Sequence, residues 1–545
     1  MSEKNYLLGI LSAFLLWLAW PPMRFTAPLL LVAFVPLFRA VEDVIQSDRD
    51  KKGRKIFLLA GMSFFIWNTS CIYWVFNSLS AVNPVWVAAL ISLVPFGLAA
   101  VLMTLAFWLY YRVRRVTSSR SLSYGALICF WIAYEYLHQS WDLAFPWMTL
   151  GNGFAQSHSL IQWYEYTGVY GGSLWILVAN ILAFEVTSQN ENSPQGYSRK
   201  KKLLLSLSAW VLLPIGISLL IYSRYEEKPN PANVVVVQPN VDPYVKWAAV
   251  PPAVQVQQLI HLSDSLGQPN TEYFIWPETS IPTKINEDEV RMDANFLTVQ
   301  AFLNKYKNGN VLTGIESYLL YDSAKSPTAA YIESMGKYSD VFNAAINIEN
   351  SAKVQFYHKS KLVPGVEQMP FASALSFLKP VFAAFGGSSG GFGYQDKPSV
   401  FYAQSGMGVA PVICYESIWG GYVAQYVAQG AQFIAVITND GWWGNTSGKD
   451  QHMEYAKLRA IETRRWVARS ANTGISCFIN QRGDVTKQTQ WWHATALKED
   501  INLNEELTFY VKHGDYIAVF ASFLAAVFFV FLIVRQVSAG RERAA

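Results

Sequence analysis

Long apolar runs almost free of charge constrain this chain more than any other feature. They fill roughly the first 225 residues and the last 30. A soluble core does not collect runs of about 18 such residues, whereas a hydrocarbon layer of roughly 30 Å needs them. Candidate spans fall near 5–21, 27–40, 56–78, 85–110, 122–138, 168–186, 203–222 and 514–534, of which the second and fifth are short. The first ends in Trp20-Pro21-Pro22 without a small-residue cleavage pattern, so it reads as a retained helix. Composition agrees: 52% of residues are hydrophobic and 15% charged, against about 25% charged in soluble proteins. The expected fold therefore includes a membrane α-helical bundle of about eight transmembrane helices.

Loop charges orient that bundle. Arg39, Arg49, Lys51, Lys52, Arg54 and Lys55 follow the second span, and Arg112, Arg114, Arg115 and Arg120 follow the fourth. Arg199, Lys200, Lys201 and Lys202 follow the sixth, and Arg535, Arg541 and Arg543 follow the last. The loops between are nearly empty of Lys and Arg. By the positive-inside rule both termini are cytoplasmic, and the segment of about 225–513 lies on the outer face. Tyr73, Trp74, Trp86, Trp141, Trp147, Trp163 and Tyr164 crowd the non-cytoplasmic ends as an interfacial belt would. The aromatic loop 139–167 reads either as an interfacial segment against lipid or as a wall of a lipid-access groove. Three regions result: helices one to seven in 1–225, an extramembrane domain in 226–512, and a final helix with a tail in 513–545.

A net charge of +4 is too small and scattered for a nucleic-acid surface. Cys71, Cys129, Cys414 and Cys477 lie far apart, so neither a disulfide nor a zinc framework is expected. His452 has no second histidine at ligand spacing, and no metal site or cofactor is expected.

From about 230 the pattern changes to short β-branched or aromatic runs: Val234–Val237, Tyr273–Trp276, Val311–Ile315, Val341–Ile348, Val354–Tyr357, Val409–Cys414, Phe433–Thr438 and Ile475–Asn480. Helical windows at 252–266, 290–307, 418–429 and 451–470 alternate with them, which predicts a layered α/β or α+β domain. The glycine-rich run 386–394 reads as a flexible surface loop, or as a lid.

Three strand-end motifs carry the chemistry. Trp276-Pro277-Glu278-Thr279 places a carboxylate at a sheet edge, Tyr357-His358-Lys359-Ser360-Lys361 two lysines, and Ile413-Cys414-Tyr415-Glu416-Ser417 a thiol at a strand-to-helix turn. Alone, each has a plain reading: a solvated glutamate, surface lysines, an inert buried thiol. At the cysteine turn, unsatisfied backbone N–H groups would favour the thiolate and could bind an oxyanion. Together the three supply a base, a cation and a nucleophile, which is what thiol-dependent cleavage of an amide or ester requires.

These segments resemble the Glu–Lys–Cys signature of the nitrilase superfamily of carbon–nitrogen hydrolases, which implies an αββα sandwich for the extramembrane domain. Val237-Gln238-Pro239-Asn240-Val241 with Lys246-Trp247, Leu362-Val363-Pro364 leading to Glu367, and Thr438-Asn439-Asp440-Gly441-Trp442-Trp443-Gly444 are similar to the apolipoprotein N-acyltransferase family. So are Arg459-Ala460-Ile461-Glu462 and Arg469-Ser470-Ala471-Asn472. The resemblance implies Glu278 as general base, Lys359 rather than Lys361 as transition-state cation, and Cys414 as nucleophile. Glu367 would be an accessory carboxylate, Tyr415 and Glu416 supporting residues, and Trp247 a substrate-binding residue. Gly365-Val366 stands where that family usually has Phe-Gly, which could shift Glu367. Asn439-Asp440 reads equally as a turn or a substrate contact, and Cys477 as structural.

The implied reaction moves an acyl chain from a membrane phospholipid, through a Cys414 thioester, to the α-amine of a lipoprotein's diacylglyceryl-cysteine. It would be the last step of lipoprotein maturation, performed by a monomer in a bacterial inner membrane with its catalytic domain on the periplasmic or outer face.

Overall fold

The computed structural model describes residues 2–48, 50–79, 84–189, 193–247, 250–375, 377 and 391–544. Most of the glycine-rich run, 386–390, lies outside the described residues. The chain divides into two compact units: Met1–Phe76 with Pro84–Arg224 and His513–Ala545, and Asn77–Asn83 with Tyr225–Lys512.

The first unit is all helix. Among the described residues, five helices are long and apolar enough to cross a membrane: Lys52–Ile72, Val85–Thr117, Tyr164–Thr187, Pro194–Arg224 and Tyr516–Ser538. The other three expected spans also carry helix but fall short by themselves. Glu3–Leu18 has 16 residues, and Arg120–Leu137 has the length but is less apolar. The 27–40 segment is broken into a 3-10 turn, Ala27–Leu31, and a 12-residue helix, Val35–Gln46. A proline sits near the start of each piece, where its missing N–H costs nothing and its ring stops the preceding helix.

The 139–167 segment is not a lipid-facing loop. It folds into the core of its unit as two 3-10 stretches, Pro146–Met148 and Leu150–Leu160, with Trp147, Leu150, Phe154 and Tyr164 fully buried. Trp147 packs on Trp74 at 4.6 Å, and buried Glu135 accepts the Leu150 N–H at 2.8 Å. Trp147 and Tyr164 therefore pack against protein rather than forming an interfacial belt; Trp86 and Tyr73 are exposed.

The second unit is a layered α/β domain with fourteen strands among the described residues. They are β1 Pro231–Gln238, β2 Thr271–Ile275, β3 Ile281–Asn286, β4 Asn310–Tyr321, β5 Ala330–Ile332, β6 Lys337–Glu349 and β7 Val354–His358. The chain continues with β8 Phe401–Tyr402, β9 Gly408–Ile413, β10 Phe433–Thr438, β11 Val467–Ala471, β12 Cys477–Ile479, β13 Val485–Gln488 and β14 Thr495–Asn502. One sheet runs β14-β1-β2-β4-β6-β5, with β3 on β4 and β7 on β6; the other runs β13-β12-β11-β10-β9-β8. The sheets face one another, as the Tyr273–Phe433 ring contact at 5.4 Å and the Ser470 Oγ bond to the Val237 carbonyl attest. Helices Pro252–Leu266 and Ala294–Leu303 cover the first sheet through Val256, Leu259, Phe302 and Leu303. Helices Gly420–Ala428 and Ser447–Thr463 cover the second. The result is helix–sheet–sheet–helix, the expected sandwich.

One helical window is corrected. The expected helix 451–470 ends at Thr463, and Val467–Ala471 is a central strand. Arg464 turns the chain with φ +50°, and the run Trp466-Val467-Ala468 that follows favours a strand.

Candidate active site

The chemistry-bearing residues come from the ends of β2, β7, β9 and β10. β2 pairs in parallel with β4, and the Pro277–Ser280 turn folds back on Gly314 of β4 through the Gly314 N–H to Pro277 and Ser280 N–H to Gly314 bonds. A Cβ at Gly314 would lie 2.4 Å from Thr279 N and 2.6 Å from Glu278 Cα, so only glycine lets that turn approach. Thr279 takes φ +50°, and Glu278 before it is buried.

β7 ends beside β6, with His358 paired to Ala344 and the Lys359 N–H bonded to the Asn343 carbonyl. The Lys359 side chain is almost fully buried. Its Nζ donates to Glu278 Oε1 at 3.1 Å and to Glu367 Oε1 at 2.8 Å. Asn343 Nδ2 donates to the same two oxygens at 2.8 Å each. Two carboxylates are thus gripped by one ammonium and one amide. Burial works against the Lys359 ammonium, but Glu278 and Glu367 outweigh it and hold it well above the usual lysine value.

The Gly365-Val366 departure leaves Glu367 in place. Gly365 takes φ +82°, and the turn closes with the Val366 and Glu367 N–H groups on the Val363 carbonyl. Glu367 Oε2 then accepts the Val363 N–H at 2.7 Å. Lys361 is not in this cluster; its Nζ lies over the Tyr422 ring at 5.1 Å.

Cys414 follows β9 and starts a 3-10 turn, Cys414–Ile418, with φ +50°. A non-glycine residue held there is strained, and such strain persists only where surrounding contacts over-determine it. Glu416 provides them. It is fully buried, and its Oε1 accepts from Tyr357 OH at 2.6 Å, Ser360 N at 2.7 Å and Lys361 N at 3.2 Å, while Oε2 accepts from Ile413 N at 2.9 Å. Arg459 holds the far side of the turn, donating to the Ser417 and Ile418 carbonyls and pairing with Glu462. Tyr415 is buried edge-on against Trp419, at 4.7 Å between ring centres.

The thiol is not poised as a thiolate. Burial and the Glu278 carboxylate push Cys414 well above the ordinary thiol value, against the opposing pull of Lys359 and a hydrogen bond from Thr438. Burial thus opposes the thiolate that the turn's N–H groups are expected to favour. Proton removal must therefore accompany attack. Two carboxylates act on the thiol through their charge, Glu278 first and Asp440 more weakly.

Trp247 is half exposed, whereas its neighbour Lys246 is buried with Nζ 3.5 Å from the Glu278 carbonyl. Asp440 opens a 3-10 turn, Asp440–Trp443, which agrees with the turn reading. It is fully buried, paired with Arg469 and His452. Cys477 is buried within β12. Sequence reasoning missed Asn343, Thr438, His452 and Arg469 as members of the site or its support.

A carboxylate, an ammonium and a thiol set on strand ends of a two-sheet sandwich define a domain of the thiol-dependent kind that handles amide and acyl groups. The model of the carbon–nitrogen hydrolase family matches residues 233–506, just over half of the chain, and the chain belongs to that family. The family model of the apolipoprotein N-acyltransferase N-terminal domain matches residues 12–182 ahead of it. The apolipoprotein N-acyltransferase of Chlorobaculum tepidum is 29% identical over 530 residues, covering 94% of this chain and 94% of that protein. That of Geobacter metallireducens is 27% identical over 533 residues, covering 95% and 93%. An amidase from Nesterenkonia sp. is 13% identical, with a TM-score of 0.34 over 52% of this chain and 94% of that one.

Proposed function

We propose that this protein is an acyltransferase that completes lipoprotein maturation by N-acylation. Cys414 attacks the acyl ester of a membrane phospholipid as Glu278 takes the thiol proton, and Lys359 stabilises the tetrahedral oxyanion with the Tyr415 N–H. Collapse breaks the ester C–O bond as Glu278 returns its proton to the leaving oxygen, releasing a lysophospholipid and leaving a thioester. The α-amine of a lipoprotein's N-terminal diacylglyceryl-cysteine then attacks the thioester, Glu278 manages the proton again, and the amide leaves, a ping-pong cycle. Glu367 and Asn343 fix Lys359 and Glu278, Glu416 fixes the cysteine turn, and Trp247 contacts substrate. No cofactor enters any step.

The observation that carries this reading is the buried Lys359 ammonium held jointly by Glu278 and Glu367, in a chain that adds apolar helices on both sides of the domain. A soluble amidase has no use for five membrane-length helices. Two lipid-anchored substrates do, because diffusion in the membrane plane replaces capture from water. On this reading residues 226–512 form the catalytic domain on the outer face of a bacterial inner membrane. Residues 1–225 and 513–545 supply the helices, with cytoplasmic termini and a monomeric state.

The experiment is a transfer assay with a fluorescent-acyl phospholipid and a diacylglyceryl-cysteine peptide. N-acylated peptide from wild type and none from Cys414→Ala supports the reading. Release of free fatty acid without peptide acylation would instead mark a hydrolase.

A further inference from the structure

Thr438 ends β10, which pairs in parallel with β9 so that Thr438 lies alongside Cys414. Its hydroxyl Oγ1 is 3.2 Å from Cys414 Sγ and 3.1 Å from Asp440 Oδ1. A hydroxyl has one proton to donate, so it can serve only one of these acceptors at a time.

Asp440 is fixed and charged. Arg469 Nη2 donates to its two oxygens at 3.1 and 2.8 Å, and His452 Nδ1 lies 2.9 Å from Oδ1. Burial would raise the Asp440 carboxyl, but Arg469 and His452 outweigh it and hold it below the usual value. The same histidine reaches the nucleophile's backbone, with Nε2 3.2 Å from the Cys414 carbonyl and 2.9 Å from Ser417 Oγ. One buried network therefore holds the carbonyl of Cys414 and, through Thr438, touches its sulfur.

The two acceptors differ in strength as the reaction proceeds. A neutral thiol is a poor acceptor and Asp440 a charged one, so at rest the hydroxyl proton points to Asp440. When charge builds on sulfur, Asp440 still has Arg469 and His452, whereas the sulfur gains a neutral donor from Thr438.

We propose that Thr438 is a further catalytic residue, whose hydroxyl turns from Asp440 to the Cys414 sulfur as the thiol loses its proton and turns back when the thioester forms. The Cys414 S–H bond breaks with its proton passing to a Glu278 oxygen, and the sulfur electron pair forms the bond to the acyl carbon. The Thr438 O–H bond stays intact throughout; only its acceptor changes. This rests on the reading of Cys414 as nucleophile.

The test uses full-length protein in detergent and no lipid substrate: the rate of Cys414 alkylation by iodoacetamide, read by peptide mass from about pH 6 to about pH 10. The groups acting on the thiol are Glu278, Lys359 and Asp440, with His452 at the carbonyl of Cys414, and no variant substitutes any of these residues. Thr438→Val should slow alkylation about tenfold near pH 8 and move the profile up by about one unit, as loss of a hydrogen bond to a charged acceptor requires. Thr438→Ser should return most of the shift. Thr438→Ala, smaller than threonine, decides the matter if Thr438→Val does not elute as folded protein. A Thr438→Val or Thr438→Ala profile superimposed on wild type would overturn the proposal, as would a serine variant no better than valine. If wild-type Cys414 reacts no faster than Cys477, the nucleophile reading itself falls.

Discussion

The carboxylate of Glu416 accepts the Tyr357 hydroxyl at 2.6 Å and so ties the turn that carries the nucleophile to the strand that delivers the lysine. Tyr357 belongs to β7 in one sheet, and Glu416 follows β9 in the other. The turn that carries Cys414 and the strand that carries Lys359 are therefore tied together by a buried carboxylate.

Glu416→Gln tests that assignment. Glutamine is nearly isosteric, but its amide would present N–H groups to the backbone N–H groups of Ser360, Lys361 or Ile413. Leaving one such buried donor unmet costs about 1–3 kcal/mol. We expect a lower thermal midpoint in detergent and a fall in acyl transfer that adding substrate does not repair. A variant with wild-type midpoint and turnover would show that the tether is dispensable.

Asn343 bridges Glu278 and Glu367, and its loss should be felt in turnover more than in substrate affinity. Asn343→Ala removes the amide shared by both carboxylates, a loss of about 1–3 kcal/mol, or roughly ten- to hundredfold in kcat. Asn343→Asp should be worse, because a third carboxylate would face a single ammonium. Steady-state kinetics on both variants distinguish this from a packing defect, in which alanine would be the more damaging change.

Lys246 gives a pH signature. Burial lowers its ammonium to about 8, partly offset by Glu278, and no carboxylate lies within ion-pair distance among the described residues. Below pH 8 the folded protein must hold a buried charge that the unfolded chain carries in water. Between about 8 and about 10.5 the unfolded chain binds more protons, so stability rises with pH through that window. Lys246→Met should therefore be more stable than wild type at and below pH 8, by up to about 3 kcal/mol. The difference should vanish by about pH 10.5. Midpoints that differ equally at all pH values would contradict this.

Trp247 is half exposed, and a surface truncation usually changes stability by less than about 0.5 kcal/mol. Trp247→Ala should keep the wild-type midpoint while losing about tenfold in kcat/KM, the size expected for one buried aromatic contact with substrate. Unchanged kinetics would remove Trp247 from the substrate site.

The sandwich and the acid–lysine–thiol set were readable because each sits at the end of an apolar β-run that stops at a polar residue. Asn343 was not, since it lies inside the run Val341–Ile348, where nothing in the local pattern separates a bridging amide from an outward-facing one. The pairing of His452 with Asp440 was not readable for another reason. Neither has a partner at short spacing, and their pairing depends on how Ser447–Thr463 packs over β10 and β11. The membrane segments show the opposite error. Hydropathy detects apolar runs but not which are packed on protein, so 139–167 read as interfacial although Trp147 and Phe154 are interior. The charge state of Cys414 also depended on tertiary placement, because Glu278 comes from more than a hundred residues away.

The measurement that bears most directly on the account is the intact mass of purified wild type and Cys414→Ala after incubation with phospholipid and no acceptor. We predict a gain of one acyl chain on wild type alone, localised to Cys414 and removed by hydroxylamine or by a diacylglyceryl-cysteine peptide. An unmodified Cys414 in folded protein, or an equal adduct on the alanine variant, would contradict it.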